Sequence, residues 1–331
     1  MKRLAYILFF IFIYFSDIIS QDPQFSQYYS IPTYLGPSFA GATEGSRVIA
    51  NYRNQWPGVP KTYQIYSLSY DKNLLHLKSG IGGLIIRDQL SPSLSKTIIG
   101  AQYSYQFFLK HPRIYIRPGL TFYYFNISYD ISEVVFGHQI EDRDITLSPS
   151  NIPPLKNVNK FDFNTSCLVY TEYFWAGFAV DHLTRTNESL TNTKSVMPIK
   201  YTIFSGYKFD FNQYLVGHRD ERSISGTFLY KRQGKYDQLD VGAYWTNFPY
   251  TIGIWYRGIP IEKNEASKAD HDALVFLAGI KLFQVKLSYS YDVSISSMFL
   301  KSKGAHEITL TWEIPYKDPR KKIMPIPCAQ F

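Results

Sequence analysis

Phe283-Gln284-Val285-Lys286-Leu287-Ser288-Tyr289-Ser290-Tyr291-Asp292-Val293-Ser294 divides into two sets of side chains. One register carries Phe283, Val285, Leu287, Tyr289, Tyr291 and Val293; the other carries Gln284, Lys286, Ser288, Ser290, Asp292 and Ser294. A period of two belongs to a strand with one apolar and one wet face, not to a helix. A tilted strand crosses a bilayer in ~9–11 residues, so this stretch is long enough to do so.

The same pattern recurs outward from there. Ile308, Leu310, Trp312 and Ile314 alternate with Glu307, Thr309, Thr311 and Glu313. Tyr201, Ile203, Ser205, Tyr207, Phe209 and Phe211 alternate with Lys200, Thr202, Phe204, Gly206, Lys208 and Asp210. The chain reads as about fourteen strands near 47–54, 62–71, 80–88, 96–108, 113–125, 159–169, 173–182, 198–211, 222–232, 237–246, 250–258, 271–281, 283–294 and 304–314. No helix-period segment competes with them. The fold class is therefore all-β.

Residues 1–20 stand apart. Lys2 and Arg3 precede an apolar run from Leu4 to Phe15, too short to span a bilayer as a helix. This is the pattern of a secretory signal peptide, with cleavage expected before Gln21. No long apolar run follows. A mature chain in a membrane would then be a closed barrel, because lipid satisfies no backbone group.

A soluble sandwich is the competing all-β architecture. Fourteen long strands are too many for one sandwich, and no midpoint linker divides them. Connection lengths also segregate: the long ones, 126–158, 183–197 and 259–270, all fall on one side. Tight ones at Lys110-His111-Pro112, Tyr170–Tyr173, Asn247–Tyr250 and Lys281–Phe283 fall on the other, together with a longer turn around Asn212–Glu221. Outer-membrane barrels pair short periplasmic turns with longer outside loops. The expected architecture is a single transmembrane antiparallel barrel over 47–314, both termini periplasmic, with a periplasmic or lumenal segment at 21–46 and a tail at 315–331. Lys200, Lys208, Asp210, Lys286, Asp292 and Glu307 should face its lumen. Tyr123, Tyr124, Tyr129, Trp175, Trp245, Trp255 and Trp312 are either interfacial girdle or packed core, and the sequence does not separate the two.

Composition narrows function. Aromatic residues make up 17% of the chain, which excludes disorder, and two Cys exclude a disulfide scaffold. Net charge is +8, but the basic residues are scattered and no zinc-finger, RRM or basic-helix pattern accompanies them, so no nucleic-acid partner is expected. Chemistry-bearing motifs are scarce. His306-Glu307 lacks a second His four residues on, and there is no Gly-x-Ser-x-Gly. Asp270-His271-Asp272 reads as a solvated loop junction. No catalytic residue, metal site or cofactor is expected. Cys167 and Cys328 are read as unpaired thiols. The amino segment is too aromatic for a linker and should pack on something; the Pro-rich tail cannot be a central strand.

Several strings resemble one family. Gln21-Asp22-Pro23-Gln24-Phe25-Ser26-Gln27-Tyr28-Tyr29, Pro37-Ser38-Phe39-Ala40-Gly41 and Asn51-Tyr52-Arg53-Asn54-Gln55-Trp56-Pro57 look like the opening of the PorP/SprF outer-membrane proteins of the type IX secretion system. Tyr256-Arg257-Gly258-Ile259-Pro260, Ser288-Tyr289-Ser290-Tyr291-Asp292 and Gly304-Ala305-His306-Glu307-Ile308 continue it in order. The resemblance implies a Bacteroidota-type outer-membrane barrel, without enzymatic activity, that assists secretion or surface anchoring of cargo. Such cargo includes gliding-motility adhesins with a type-B C-terminal signal domain. It implies as partners that cargo, periplasmic type IX lipoproteins or ring components, and outer-membrane lipid. A passive porin for small solutes is the alternative. Arg53, Asn54, Gln55 and Trp56, at the top of the first hairpin, are the candidate cargo contacts. Asp22, Phe25 and Tyr28 are candidate plug or periplasmic contacts.

Overall fold

The computed structural model describes residues 22–59, 62–109, 113–130, 140–141, 144–145, 156–191, 194–211, 214–215, 218–219, 222–263, 269–295, 303–316 and 326. Fourteen antiparallel strands close into one ring. They are β1 (Gly45–Gln55), β2 (Tyr63–Leu74), β3 (Ser79–Ser91), β4 (Leu94–Tyr105), β5 (Ile114–Tyr129), β6 (Val158–Tyr170) and β7 (Phe174–Asp181). The second half holds β8 (Lys200–Asp210), β9 (Arg222–Gln233), β10 (Tyr236–Asn247), β11 (Tyr250–Lys263), β12 (Ala269–Leu282), β13 (Val285–Ser294) and β14 (Ala305–Pro315). Each strand pairs with its sequence neighbours, and β1 meets β14 from Gly45–Pro315 to Gln55–Ala305. No sheet edge remains in the ring, as lipid requires.

One ladder has a local break with a plain cause. Strand β4 stops at Tyr105 and resumes as Phe107–Leu109 in the same register on β5. The gap lies beside Pro118 of β5, which has no N–H to donate.

The alternation sorts faces as read. On β13, Lys286, Ser288, Ser290 and Asp292 are buried inside, while Val285, Leu287 and Tyr289 are exposed outside. Leu68, Ile85, Leu120, Phe178, Ile203, Ile252 and Leu310 continue that exposed apolar surface round the ring. Such a girdle suits hydrocarbon. The aromatic candidates now separate: Trp175, Trp255 and Tyr123 are buried inward, whereas Trp245 and Trp312 are exposed outward. Lys200, Lys286, Asp292 and Glu307 are buried in the lumen, and Lys208 pairs with Asp210 at 3.1 Å in a more exposed position.

Two local readings change. Phe283 is not in a strand: it occupies the tight turn between Leu282 and Val285, with φ 53° and 93% exposure. Alternation cannot reveal that a hairpin needs a left-handed residue there. The connection read at 259–270 is mostly strand, since β11 runs to Lys263 and β12 starts at Ala269. Register shifts at Arg257/Gly258 and Ile259/Lys263, with Gly258 at φ 138°, hide the period at that point.

The lumen is filled by the chain's own residues 22–44, nearly all of them buried. They include the short helix α1 (Pro32–Leu35) and a single 3₁₀ turn, Pro37–Phe39. Tyr28, Tyr29, Leu35 and Phe39 pack with Trp175, Phe204, Tyr244 and Trp255 from the wall, and Ile326 of the tail joins the same cluster. Phe25 and Ile31 pack with Ile65, Leu84, Ile86 and Tyr123. The segment traverses the barrel. Asp22 lies by Lys200 and Gln233, at the end bearing the long connections; Gly41 and Thr43 bond Asp71 and Asn73 at the opposite end, where Gly45 and Pro315 lie. The described start of the amino segment therefore lies at the end of the barrel opposite to the one where Gly45 pairs with Pro315.

Wall glycines make room for this segment. A Cβ on Gly80 would sit 2.0 Å from the Ala40 carbonyl oxygen, and one on Gly119 2.4 Å from the Ser38 nitrogen. Gly80→Val and Gly119→Val should each lower stability by at least the ~1–3 kcal/mol of core overpacking. Heat-dependent gel mobility of the refolded barrel measures it; unchanged transitions would show that the segment is not seated there.

Candidate functional site

The lumen's centre is a charge network around Ser26. Arg53 projects inward from β1 and Arg257 from β11, each only 2% exposed. Arg53 Nη1 donates to Ser26 Oγ at 2.6 Å and to Glu307 Oε2 at 3.1 Å, and its Nη2 donates to Asp292 Oδ2 at 2.9 Å. Arg257 donates to Asp240 Oδ1 and Asp292 Oδ2, both at 3.0 Å, and to Ser26 Oγ at 3.0 Å. Ser26 Oγ in turn donates to Asp292 Oδ2 at 2.5 Å. Two guanidiniums and three carboxylates from five strands thus form one network, and three of these groups, Arg53, Arg257 and Asp292, meet the Ser26 hydroxyl of the inner segment.

Glu307 also reads the backbone. Its Oε2 accepts the Ser26 N–H at 2.7 Å and its Oε1 the Gln27 N–H at 3.2 Å, while Asn51 Nδ2 donates to Oε1 at 2.9 Å. Gln27 bonds Ser288 and Ser290 through its side-chain amide. These strand residues point inward because their sequence parity does; their partner is distant in sequence and only the threaded segment supplies it.

A second anchor holds the start of the segment. Asp22 bonds His182 Nε2 at 2.9 Å and Lys200 Nζ at 2.6 Å. Asp162 Oδ2 holds His182 Nδ1 at 2.6 Å, and Lys200 also pairs with Asp181 at 2.9 Å. Nearby, Lys96 pairs with Glu188 at 2.6 Å.

The candidates read from sequence now have places. Asp22, Phe25 and Tyr28 are all within the lumen: Asp22 in the second anchor, Phe25 and Tyr28 in the two apolar clusters. Arg53 is in the central network, not on a hairpin tip. Asn54 and Gln55 end β1, half-buried, with Gln55 Oε1 3.4 Å from Arg53 Nη2. Trp56 is exposed, in a left-handed turn with φ 60°, its N–H on the Gly304 carbonyl at 2.8 Å. Arg53 and Trp56 are neighbours in sequence but do not share a site. Sequence reading missed Ser26, Gln27, Asp162, His182, Asp240 and Arg257 as a group. For Asp162, Asp240 and Arg257 the signal was strand parity, which says that a side chain is inside but not what it meets; Ser26, Gln27 and His182 lie outside the strands and carry no such signal.

His271 bonds Tyr256 Oη at 2.6 Å on an exposed face. Cys167 is a half-buried free thiol opposite Pro118 and Phe178. Cys328 lies outside the described residues, as does the tail apart from Pro315, Tyr316 and Ile326. Among the described residues, no three His, Cys, Asp or Glu gather as a metal site.

The sequence model described as "Type IX secretion system membrane protein PorP/SprF" matches residues 18–312. The chain belongs to the PorP/SprF family. Its membership and barrel fold make it an outer-membrane barrel of the type IX secretion system. No curated protein matches it. Among solved structures, the CymD monoaromatic hydrocarbon channel is similar in fold, with a TM-score of 0.51 and 11% identity over 87% of this chain and 94% of that one. A triple mutant of the Rhodopseudomonas blastica porin aligns with a TM-score of 0.35 and 8% identity, covering 82% and 98%.

In this PorP/SprF barrel the central network is costly to break. Removing one member of a buried ion pair leaves an uncompensated charge, at ~3–5 kcal/mol. Arg257→Met should lose about that much in denaturant unfolding of the purified barrel. Loss below ~1 kcal/mol would mean that the charges are solvated.

The second anchor has a pH signature. Burial alone would depress the His182 imidazolium, but the Asp22 charge and the hydrogen bonds from Asp162 and Asp22 lift its pKa from 6.5 to about 10. Burial also opposes the Asp22 carboxylate, yet His182 and Lys200 hold it well below its usual 3.8. The His182 contribution is complete below 6.5 and is lost as pH rises through about 10. The Asp22 contribution is complete above 3.8 and is lost as pH falls through its lowered value. A nitroxide at position 24, in a background without native thiols, should stay immobile near neutral pH and loosen as pH rises through about 10. In His182→Gln it should be mobile throughout; equal immobility would remove His182 from the anchor.

Proposed function

We propose that this barrel is a non-enzymatic component that helps secrete cargo or retain it at the cell surface, with its lumen closed by its own amino segment. The cargo class is adhesins bearing a type-B C-terminal signal domain. The short-turn end faces the periplasm, where lipoproteins or ring components of the system dock, and the long connections face outward, where Trp56 is offered to cargo. One observation carries the reading against a passive porin: residues 22–44 and the wall side chains fill the cross-section. A fourteen-stranded wall without a plug would leave a wider lumen than eight strands, which side chains alone can fill.

Two measurements test this. Deleting the gene should leave type-B adhesins undelivered or shed into the medium; normal surface retention of every one would refute the role. In planar bilayers the purified protein should show no steady large current, whereas a variant lacking residues 22–44 should conduct. Steady open currents from the intact chain would favour the porin.

A further inference from the structure

The inner segment is held as a bound peptide is held. Glu307 takes two successive backbone N–H groups, those of Ser26 and Gln27. The Gln27 amide is read on both of its ends: Nε2 donates to Ser290 Oγ at 3.2 Å and to the Glu307 carbonyl at 3.0 Å, and Oε1 accepts from Ser288 Oγ at 2.6 Å. The Ser26 hydroxyl is read by Asp292, Arg53 and Arg257. On either side an aromatic fills an apolar recess: Phe25 beside Ile65 and Ile86, and Tyr28 edge-on to Trp255 at 6.3 Å between centroids. Closing a barrel needs only volume, which apolar side chains supply without desolvating charge. A wall that spends buried ions on one Ser-Gln step is built to discriminate.

We infer that Arg53, Arg257, Ser288, Ser290, Asp292 and Glu307 form a recognition site for a peptide of the pattern aromatic–Ser–Gln–aromatic that bends at its Ser and turns after its Gln, as the resident chain does where the Ser30 N–H meets the Gln27 carbonyl at 2.8 Å. Phe25–Tyr28 is its resident occupant, and a segment of the same chemistry on a second protein takes its place. This rests on the cargo-handling reading for its biological partner, but the binding site itself is tested without any cargo.

The test separates occupant from barrel. Glu44 is exposed at the short-turn end, so a protease sequence is inserted beside it and the folded protein is cut in detergent. A fluorescent synthetic peptide of residues 21–31 is then added in excess, and label retained by the barrel is read after gel filtration. The expected result is saturable uptake of one peptide per barrel. Affinity should fall roughly tenfold or more for a peptide carrying Ser26→Ala and Gln27→Ala, with the native peptide falling likewise on a Glu307→Gln barrel. If Glu307→Gln does not fold, the substituted peptide carries the comparison alone. Equal binding of native and substituted peptides overturns the site. A cut segment that never exchanges, or a cut barrel that collapses, overturns the replaceable occupant. None of these failures touches the adhesin phenotype of the deletion strain.

Discussion

Arg53 and Arg257 sit almost entirely out of water, and a guanidinium cannot shed its charge to escape the cost. Each must meet an anion with good geometry, and each does, through Asp292, Glu307 and Asp240. Ser26 closes the set by accepting from both guanidiniums and donating to Asp292. A ring of strands that turns these charges inward needs something polar at its centre. The amino segment supplies it, and the rest of the interior is arranged around that contact. Phe39 lies 5.3 Å from Phe204 between ring centroids, Tyr29 packs edge-on to Trp175 at 5.9 Å, and Gly80 and Gly119 yield the space that the Ala40 carbonyl and Ser38 take.

The outer half of the fold was legible in the sequence because two solvents impose it. Hydrocarbon selects Leu287, Leu310 and Ile252 at every second place, and the lumen selects Lys286, Asp292 and Glu307 between them. Strand number and order follow from that period and from antiparallel hairpins. The site was less legible. Parity marked Arg53, Asp292 and Glu307 as inward, yet Glu307 meets Ser26 and Gln27 across a separation of 281 and 280 residues. A two-residue period carries no information about such partners. Turn chemistry was hidden for another reason: Phe283 continues the apolar register of β13, and only the positive φ of the hairpin removes it from the strand.

The direction of the inner segment shapes the functional reading. It begins among the long connections, at Asp22, and descends to Gly45 on the side of the short turns. An anchor therefore exists at each stage: His182 and Lys200 on Asp22, the two arginines at Ser26, and Asp71 with Asn73 at the exit. A segment held at three points along its length is a seated occupant and not a loose tether. The lumen of this family member thus carries its own chain from one end to the other.

Threading of residues 22–44 through the ring can be measured directly with a cysteine pair. A Cβ at Gly82 would lie 3.3 Å from that of Ala40, near the ~3.5–4.5 Å that a disulfide spans. Ala40→Cys with Gly82→Cys, in a background without Cys167 and Cys328, should yield the 40–82 bridge in most molecules isolated from the outer membrane, as read by peptide mass spectrometry. Two free, alkylatable thiols in a folded barrel would show that the amino segment lies outside the lumen.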